Sequence, residues 1–533
     1  MQFGMFGSAQ AKRGGPNDDS GAGFREFVER NVEAESLGYH STFLVEHHFT
    51  GFGQVSASLN LLTWIGSRTT TLRLGTAVMV LPWHNPVLLA EQIATLDLLS
   101  DGRVDAGIGK GCRVGLLMPN GVSWARIAFA LTRIGAVLVP LSTLFTPPEL
   151  SAALRTAAVQ HLIAVDEFRG RRYLDALPPA GDLPALRAVH RAAALPAEGG
   201  GAARRVAEAL SRMVRPADPL AILFTSGSSG APKGVRHSHG NAIGAVRSGL
   251  SARCVDADTR LYLPMPFFWV GGFAGGLLSA LVAGATLVTE AVPEPDSTLR
   301  LLTAEGVTLF RGWPDQAEAL ARHRDLADAA TADLSALKPG SLDALLPAGE
   351  RSRPGSRARL FGMTESFGPY CGYPADTDMP ESAWGSCGKP FDGMTVRVVD
   401  PDTGTPVSTG EAGMIQIRGP HVMQGICRRS REEVFTADRY YPTGDLGHLD
   451  ADKFLFFDGR ADDMFKVSGA TVYPSEVERA LRGLTGVRAA FVTNVAGPAG
   501  ERVGAAVVCD APTTVADLRA AARAVLSTFK GPT

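Results

Sequence analysis

The chain is 533 residues long, several times an ordinary domain, so about two to four domains with sizeable apolar cores are expected. Its 52 basic against 54 acidic side chains leave a net charge of −2. That balance excludes the electrostatic footprint of a nucleic-acid or anionic-membrane binder and points to small-molecule partners. The cysteines Cys112, Cys254, Cys371, Cys387, Cys427 and Cys509 form no Cys-x-x-Cys pair, which argues against a structural zinc site and suits a reducing, cytoplasmic location. The start "MQFGMFGSAQAKRGG" has no sustained apolar run behind a basic head and does not read as a signal peptide.

In chain order, residues 1–111 alternate short apolar runs ("FGMFG", "STFLVE", "LRLGTAVMVL", "RVDAGIG") with helical patterns at Phe24 to Leu37 and Pro86 to Leu99. This is the signature of βα units around a parallel sheet. Residues 112–461 repeat the α/β style on a larger scale, with Ala192 to Ala209 as a surface connection running into a helix. Gly271 to Val288, the longest apolar stretch, is rich in glycine and reads as a buried helix entering a strand, not as a membrane span. Residues 462–533 read as a small α+β domain. It has a strand near Phe465, a helix over Pro474 to Arg482, strands over Arg488 to Asn494 and Arg502 to Cys509, and a helix over Val515 to Leu526.

The most informative stretch is "LAILFTSGSSGAPKGV", Leu220 to Val235. An apolar strand enters a loop of Thr225, Ser226, Gly227, Ser228, Ser229 and Gly230 that closes on Pro232-Lys233-Gly234. Backbone N–H groups, hydroxyls and one ammonium would converge there as a polyphosphate cradle. It is not a Walker A loop, because Pro232 and Gly234 replace the glycine and the hydroxyl residue that flank the lysine in that motif. This stretch resembles the phosphate loop of the adenylate-forming ligases, the superfamily of acyl-CoA synthetases, aryl-CoA ligases and beetle luciferase.

Further motifs follow in that family's order. "LFGMTESFG" is similar to its aromatic-Gly-x-Thr-Glu motif, which implies Phe361 on adenine, Thr364 on phosphate and Glu365 as the magnesium ligand. "YYPTGDLGHLD" resembles the segment whose aspartate, here Asp445, accepts from the ribose hydroxyls. "FFDGRADDMFKVSGATVYPSEVE" resembles the hinge segment. There Arg460 is on the ribose side, Asp462 is the pivot, and Lys466 to Gly469 lie near the thioester-forming face. "PMPFFWVGG" stands where the family has an aromatic wall, so Phe268, Trp269 and Gly272 would line the acyl pocket, although core packing explains Phe268 and Trp269 nearly as well. The resemblance covers residues 113–533. It implies a large α/β adenylate-forming domain and a small C-terminal domain, ATP, Mg²⁺ and coenzyme A as reaction partners, and a carboxylic acid as substrate. Two departures are read: no Gly-Gly-Ala type adenine turn between Leu337 and Leu360, and no lysine at the family's C-terminal catalytic position, Lys530 falling short of it. Impaired adenylation and a truncated last domain are therefore expected.

Residues 1–111 resemble a different family, the luciferase-like flavin monooxygenases, on "STFLVEHHFTGFG" and "LRLGTAVMVLPWHNPVLLAEQIATLDLLSDGRVDAGIGKG". His47 matches a histidine near the flavin in that family. Only half of a (β/α)₈ barrel is present, so binding of reduced flavin is not expected unless another chain completes it. "DAGIGKGCRVGLLMPNG" is then no phosphate loop: it is the seam of a fusion at about Cys112, with the ligase part lacking its first segment. The function read is an ATP-dependent acyl-CoA synthetase. The alternatives are a flavin monooxygenase and a non-catalytic nucleotide-binding remnant.

Overall fold

The structure, a computed structural model, describes residues 3–11, 19, 21–47, 55–76, 86–106, 110–195, 201–225, 233–326, 332–461, 465–467, 470–472, 474–497 and 500–525. Most of the glycine-serine loop (Ser226 to Gly230), the pivot Asp462 and Lys530 lie outside these residues. The chain divides into two compact units, one of residues 1–112 with 133–136 and 199–214, the other of residues 113–132, 137–198 and 215–533.

The first unit is built on four parallel strands, Gly4–Gly7, Ser41–Leu44, Arg73–Thr76 and Val104–Ala106, lying in sequence order. The helices Ala22–Ser36, Ser58–Arg68 and Pro86–Leu99 make the crossovers, as parallel pairing requires. Leu44, Leu62, Ile65, Leu72, Leu74 and Leu96 form its core. Arg103 ties helix to sheet by donating to the carbonyls of Gly66, Leu72 and Ser100. The helix into which the Ala192 to Ala209 connection was expected to run is Gly201–Met213 and belongs to this unit: Lys110 Nζ donates to the Met213 carbonyl at 3.0 Å.

The second unit centres on a seven-stranded sheet in the order Ala188–Arg191, His161–Ala164, Arg113–Leu117, Val137–Pro140, Pro219–Thr225, Lys233–Ser238, Gly425–Ile426. The first five strands run parallel and the last two pairings are antiparallel. Val114, Leu116, Leu138, Val139, Leu162 and Leu220 to Leu223 are all buried, which is why these strands read as unbroken apolar runs and not as alternating ones. A three-stranded parallel sheet has Arg260–Tyr262 at its centre. The expected helix before its Thr286–Val288 strand is present, wound as a π-helix over Gly271–Leu278 before α-helical Ser279–Ala283. A four-stranded antiparallel sheet, Thr395–Val399, Gly413–Arg418, Tyr441–Leu449 and Leu455–Arg460, comes next. The C-terminal part has the expected α+β pattern: a hairpin of Phe465–Val467 with Ala470–Val472, the helix Pro474–Arg482, a long hairpin of Val487–Gly497 with Gly500–Cys509, and the helix Val515–Val525. Its core includes Phe465, Val472, Val477, Leu481, Val503 and Ala522. Among the described residues no helix is long and apolar enough to cross a membrane.

His161 and His190, on neighbouring parallel strands, stack with ring centroids 5.5 Å apart. Burial, with the charges of His190 and Arg187, pulls His161 down from 6.5 to about 4. A depressed histidine contributes stability that is full above the unfolded value and lost as pH falls through the folded one. The midpoint of urea denaturation is therefore expected to drop as pH goes from 6.5 to 4, and His161→Phe should flatten that limb. An unchanged pH profile in the variant would contradict this.

Candidate active site

The Pro219–Thr225 and Lys233–Ser238 strands are antiparallel neighbours, and their register pairs Thr225 with Lys233. The two ends of the glycine-serine loop thus stand side by side at the mouth of a cavity of about 800 Å³. Its lining includes Thr225, Lys233, Thr364, Glu365, Tyr441 and Arg460, and also Arg429 and Glu433. Segments up to 235 residues apart in sequence, from Thr225 to Arg460, converge there.

Thr364 and Glu365 sit on a single 3₁₀ turn after the Phe361–Met363 strand. Ser366 locks the turn: its Oγ accepts from the Met363 N–H at 3.2 Å and donates to the Gly368 carbonyl at 2.6 Å. Phe367 closes the turn in the left-handed region at φ 54°, a conformation that costs a bulky residue energy and persists where packing over-determines it. Glu365 is buried, the residue being only 7% exposed. Tyr441 donates its hydroxyl to Glu365 Oε1 at 3.1 Å. Burial pushes the Glu365 carboxyl above its usual range, against the opposing pull of Tyr441 and the Lys233 ammonium. Burial likewise drives the Tyr441 phenol up, so it stays a donor.

Asp445, which is not among the lining residues, faces the cavity-lining Arg460 in register across two antiparallel strands. Arg460 Nη1 donates to Asp445 Oδ1 at 2.8 Å and to the Thr443 carbonyl at 3.2 Å. The strand needs glycine just before Asp445: Gly444 has φ +75°, and a Cβ there would stand 3.2 Å from Arg460 Nη2.

A buried network stands behind the turn. His237 Nε2 lies 2.8 Å from the Thr364 carbonyl and its Nδ1 lies 2.8 Å from Asn241 Nδ2. Burial pulls His237 down to about 4, so the imidazole is neutral at ordinary pH.

The remaining sequence-predicted residues are placed elsewhere. Phe361 packs on Phe457 and Tyr370 with centroids 4.9 and 5.6 Å apart. Phe268 and Gly272 are buried, while Trp269 is 39% exposed and meets Trp313 edge-on at 5.8 Å. None of these four residues lines the 800 Å³ cavity. Lys466 lies on the Phe465–Val467 strand, opposite Thr471. His47 belongs to the first unit, where its N–H donates to the Val55 carbonyl at 2.9 Å beside the buried Glu46. Tyr441, Arg429, Glu433 and His237 were not singled out by the motifs. Tyr441 lies within the recognised segment "YYPTGDLGHLD" but was given no role there, and the other three carry no local signal.

A mixed seven-stranded sheet and an antiparallel sheet that carry the cavity, followed by a small α+β part, define the adenylate-forming ligase fold. The ATP-bound crystal structure of MatB from Rhodopseudomonas palustris has this fold, with a TM-score of 0.64 at 25% identity, over 83% of this chain and 87% of that one. The profile of the AMP-binding enzyme family matches residues 97–427, and that of the luciferase-like monooxygenases matches residues 1–124. The chain is 30% identical over 495 residues to 3-[(3aS,4S,7aS)-7a-methyl-1,5-dioxo-octahydro-1H-inden-4-yl]propanoyl:CoA ligase of Mycobacterium tuberculosis, spanning 87% of this chain and 94% of the relative. It is 32% identical over 419 residues to a feruloyl-CoA synthase of Streptomyces, spanning 78% and 81%. The chain belongs to the AMP-binding enzyme family. These long matches favour the ligase reading over the flavin monooxygenase alternative.

Proposed function

We propose that the chain is an ATP-dependent, AMP-forming carboxylate–CoA ligase. The observation that carries this reading is the convergence of Thr225, Lys233, Thr364, Glu365 and Arg460 on one cavity in a member of the AMP-binding enzyme family. A substrate carboxylate attacks the α-phosphorus of ATP, the bond to the β-phosphate breaks, and pyrophosphate leaves. The thiol of coenzyme A then attacks the acyl carbon and AMP departs. Thr225 to Gly230 and Lys233 hold the phosphates, with Lys233 offsetting their charge and the strand pair fixing their position. Asp445 and Arg460 hold the ribose, and Phe361 borders the adenine. Phe268, Trp269 and Gly272 form the acyl wall, Asp462 is the hinge, and Lys466 serves the thioester-forming state. The domains are read as residues 1–111, 112–461 and 462–533, and the location as cytoplasmic.

Magnesium fits Glu365. Among the described residues no cluster of three or more His, Cys, Asp or Glu could hold a metal alone, and magnesium is commonly held by one or two carboxylates shared with substrate phosphates. A desolvated carboxylate raised by burial is a hard oxygen donor whose charge a divalent cation would stabilise. When bound, the ion neutralises phosphate charge in the transition state.

The edge-on Trp269 and Trp313, together with relatives named feruloyl-CoA synthase, indoleacetate–CoA ligase and medium-chain acyl-CoA ligase, support aryl-substituted or medium acyl acids as substrates. Pyrophosphate release should rise above the acid-free rate with cinnamic, indoleacetic or medium-chain acids, and acyl-CoA should form only when coenzyme A is added. No release with any acid, alongside tight ATP binding, would favour the non-catalytic nucleotide-binding reading instead.

A further inference from the structure

We propose that His237 is a positioning residue that fixes the Thr364–Glu365 turn against the strand bearing Lys233. The inference rests on the ligase reading for its catalytic consequence, but the geometry stands by itself. Residues 233, 235 and 237 of one strand share a face, so Lys233 and His237 project to the same side with buried Val235 between them. The strand thus carries the phosphate cation and a holder of the acidic turn four residues apart.

The hydrogen bonds settle which atom does what. A carbonyl only accepts, so His237 Nε2 carries the proton and donates to the Thr364 oxygen at 2.8 Å. Its Nδ1 then accepts from Asn241 Nδ2 at 2.8 Å. The Asn241 amide cannot be turned round, because its Oδ1 already accepts from the Ser238 N–H at 2.6 Å. The same Nδ2 reaches the His421 carbonyl at 3.2 Å, and two residues on the Met423 N–H donates to the Glu365 carbonyl at 2.8 Å. Both peptide carbonyls of the Thr-Glu pair are therefore pinned, one by the His237 side chain and one by the segment that Asn241 anchors. The Phe367 ring, 4.8 Å from the imidazole, fills the remaining side. What is left to face the cavity is the pair of side chains that would meet phosphate and metal. Orienting a ligand through a fixed neighbour is how surrounding residues tune metal and transition-state contacts.

The test compares wild type with His237→Leu, which removes the donor at similar volume, and His237→Gln, whose amide can still donate to the carbonyl. Titration calorimetry with ATP, with and without Mg²⁺, reads the metal's contribution to affinity without turnover. His237→Leu is expected to lose about tenfold of that contribution, within the 10–100-fold range for such partners, and His237→Gln to recover most of it. In the pyrophosphate assay, kcat should fall in His237→Leu more than the KM for the acid rises. Consumption of supplied acyl-AMP with coenzyme A should change less. An unchanged Mg²⁺ contribution in a folded His237→Leu, or equal damage by Leu and Gln, would overturn the proposal. A wild-type protein that gains ATP affinity from Mg²⁺ but releases no pyrophosphate with any acid would overturn the ligase reading and leave the positioning role standing.

Discussion

Glu365→Gln is expected to slow acid-dependent pyrophosphate release by about 10²–10³-fold, the scale on which removal of a preorganised charge-stabilising group acts. The melting temperature of the unliganded protein should not fall with it. The Glu365 carboxyl is held above its usual value chiefly by burial, so its ionised form is the costly one in the folded state. An acid raised in this way contributes stability that is full below the unfolded value and lost as pH rises through the folded one. At neutral pH the neutral amide should therefore match or exceed the wild-type melting temperature, and the difference should close on acidification. Tyr441, which donates to Glu365 Oε1, can donate to the amide oxygen as well, so the turn keeps its shape. Loss of activity with retained or raised stability separates a functional carboxylate from a structural one. A variant that loses activity and melting temperature together would refute the assignment.

The same residue shows where the sequence stops being legible. Thr364 and Glu365 could be picked out because their spacing from Phe361 is local and their motif order is preserved. That Glu365 is buried could not, because the residues that bury it, Tyr441 and the segment around Met423, come from positions 76 and 58 residues downstream. The four strands of the first unit were readable as short apolar runs alternating with helical patterns, the arrangement that parallel pairing through crossover helices produces. The C-terminal helices and hairpins were readable from their periodicity. The helix Gly201–Met213 was seen as a helix, but its membership of the first unit rests on contacts about a hundred residues away, which no local pattern encodes. The π-helical winding of Gly271–Leu278 was equally hidden, because apolarity and glycine content are the same for either winding. His237 is the clearest omission. Within "VRHSHGN" it reads as one histidine of two, and only the fold brings it 2.8 Å from a carbonyl 127 residues further on.

The pair Asp445 and Arg460 should respond asymmetrically to mutation. The aspartate side chain is 9% exposed and the arginine 39%, so the two ends of one 2.8 Å contact have different access to water. Asp445→Asn leaves a guanidinium that can turn towards solvent, and an exposed cation gives up little when its partner is neutralised. Its melting temperature should stay near wild type. The KM for ATP should nevertheless rise by about tenfold or more, because a buried acceptor for the ribose hydroxyls has lost its charge, and hydrogen bonds to charged groups are worth about 1.5–3 kcal/mol. Arg460→Leu takes the guanidinium from a buried carboxylate and from the Thr443 carbonyl. Removing the partner of a buried carboxylate costs more than the pair contributes. That variant should lose about 1–3 kcal/mol of stability, the desolvation cost of an incompletely satisfied buried group, as well as ATP affinity. Combining the two substitutions should recover part of that loss, since the double variant no longer buries the charge. Equal destabilisation by the two single variants, or a double variant less stable than Arg460→Leu, would show that the contact is not organised by burial in this way.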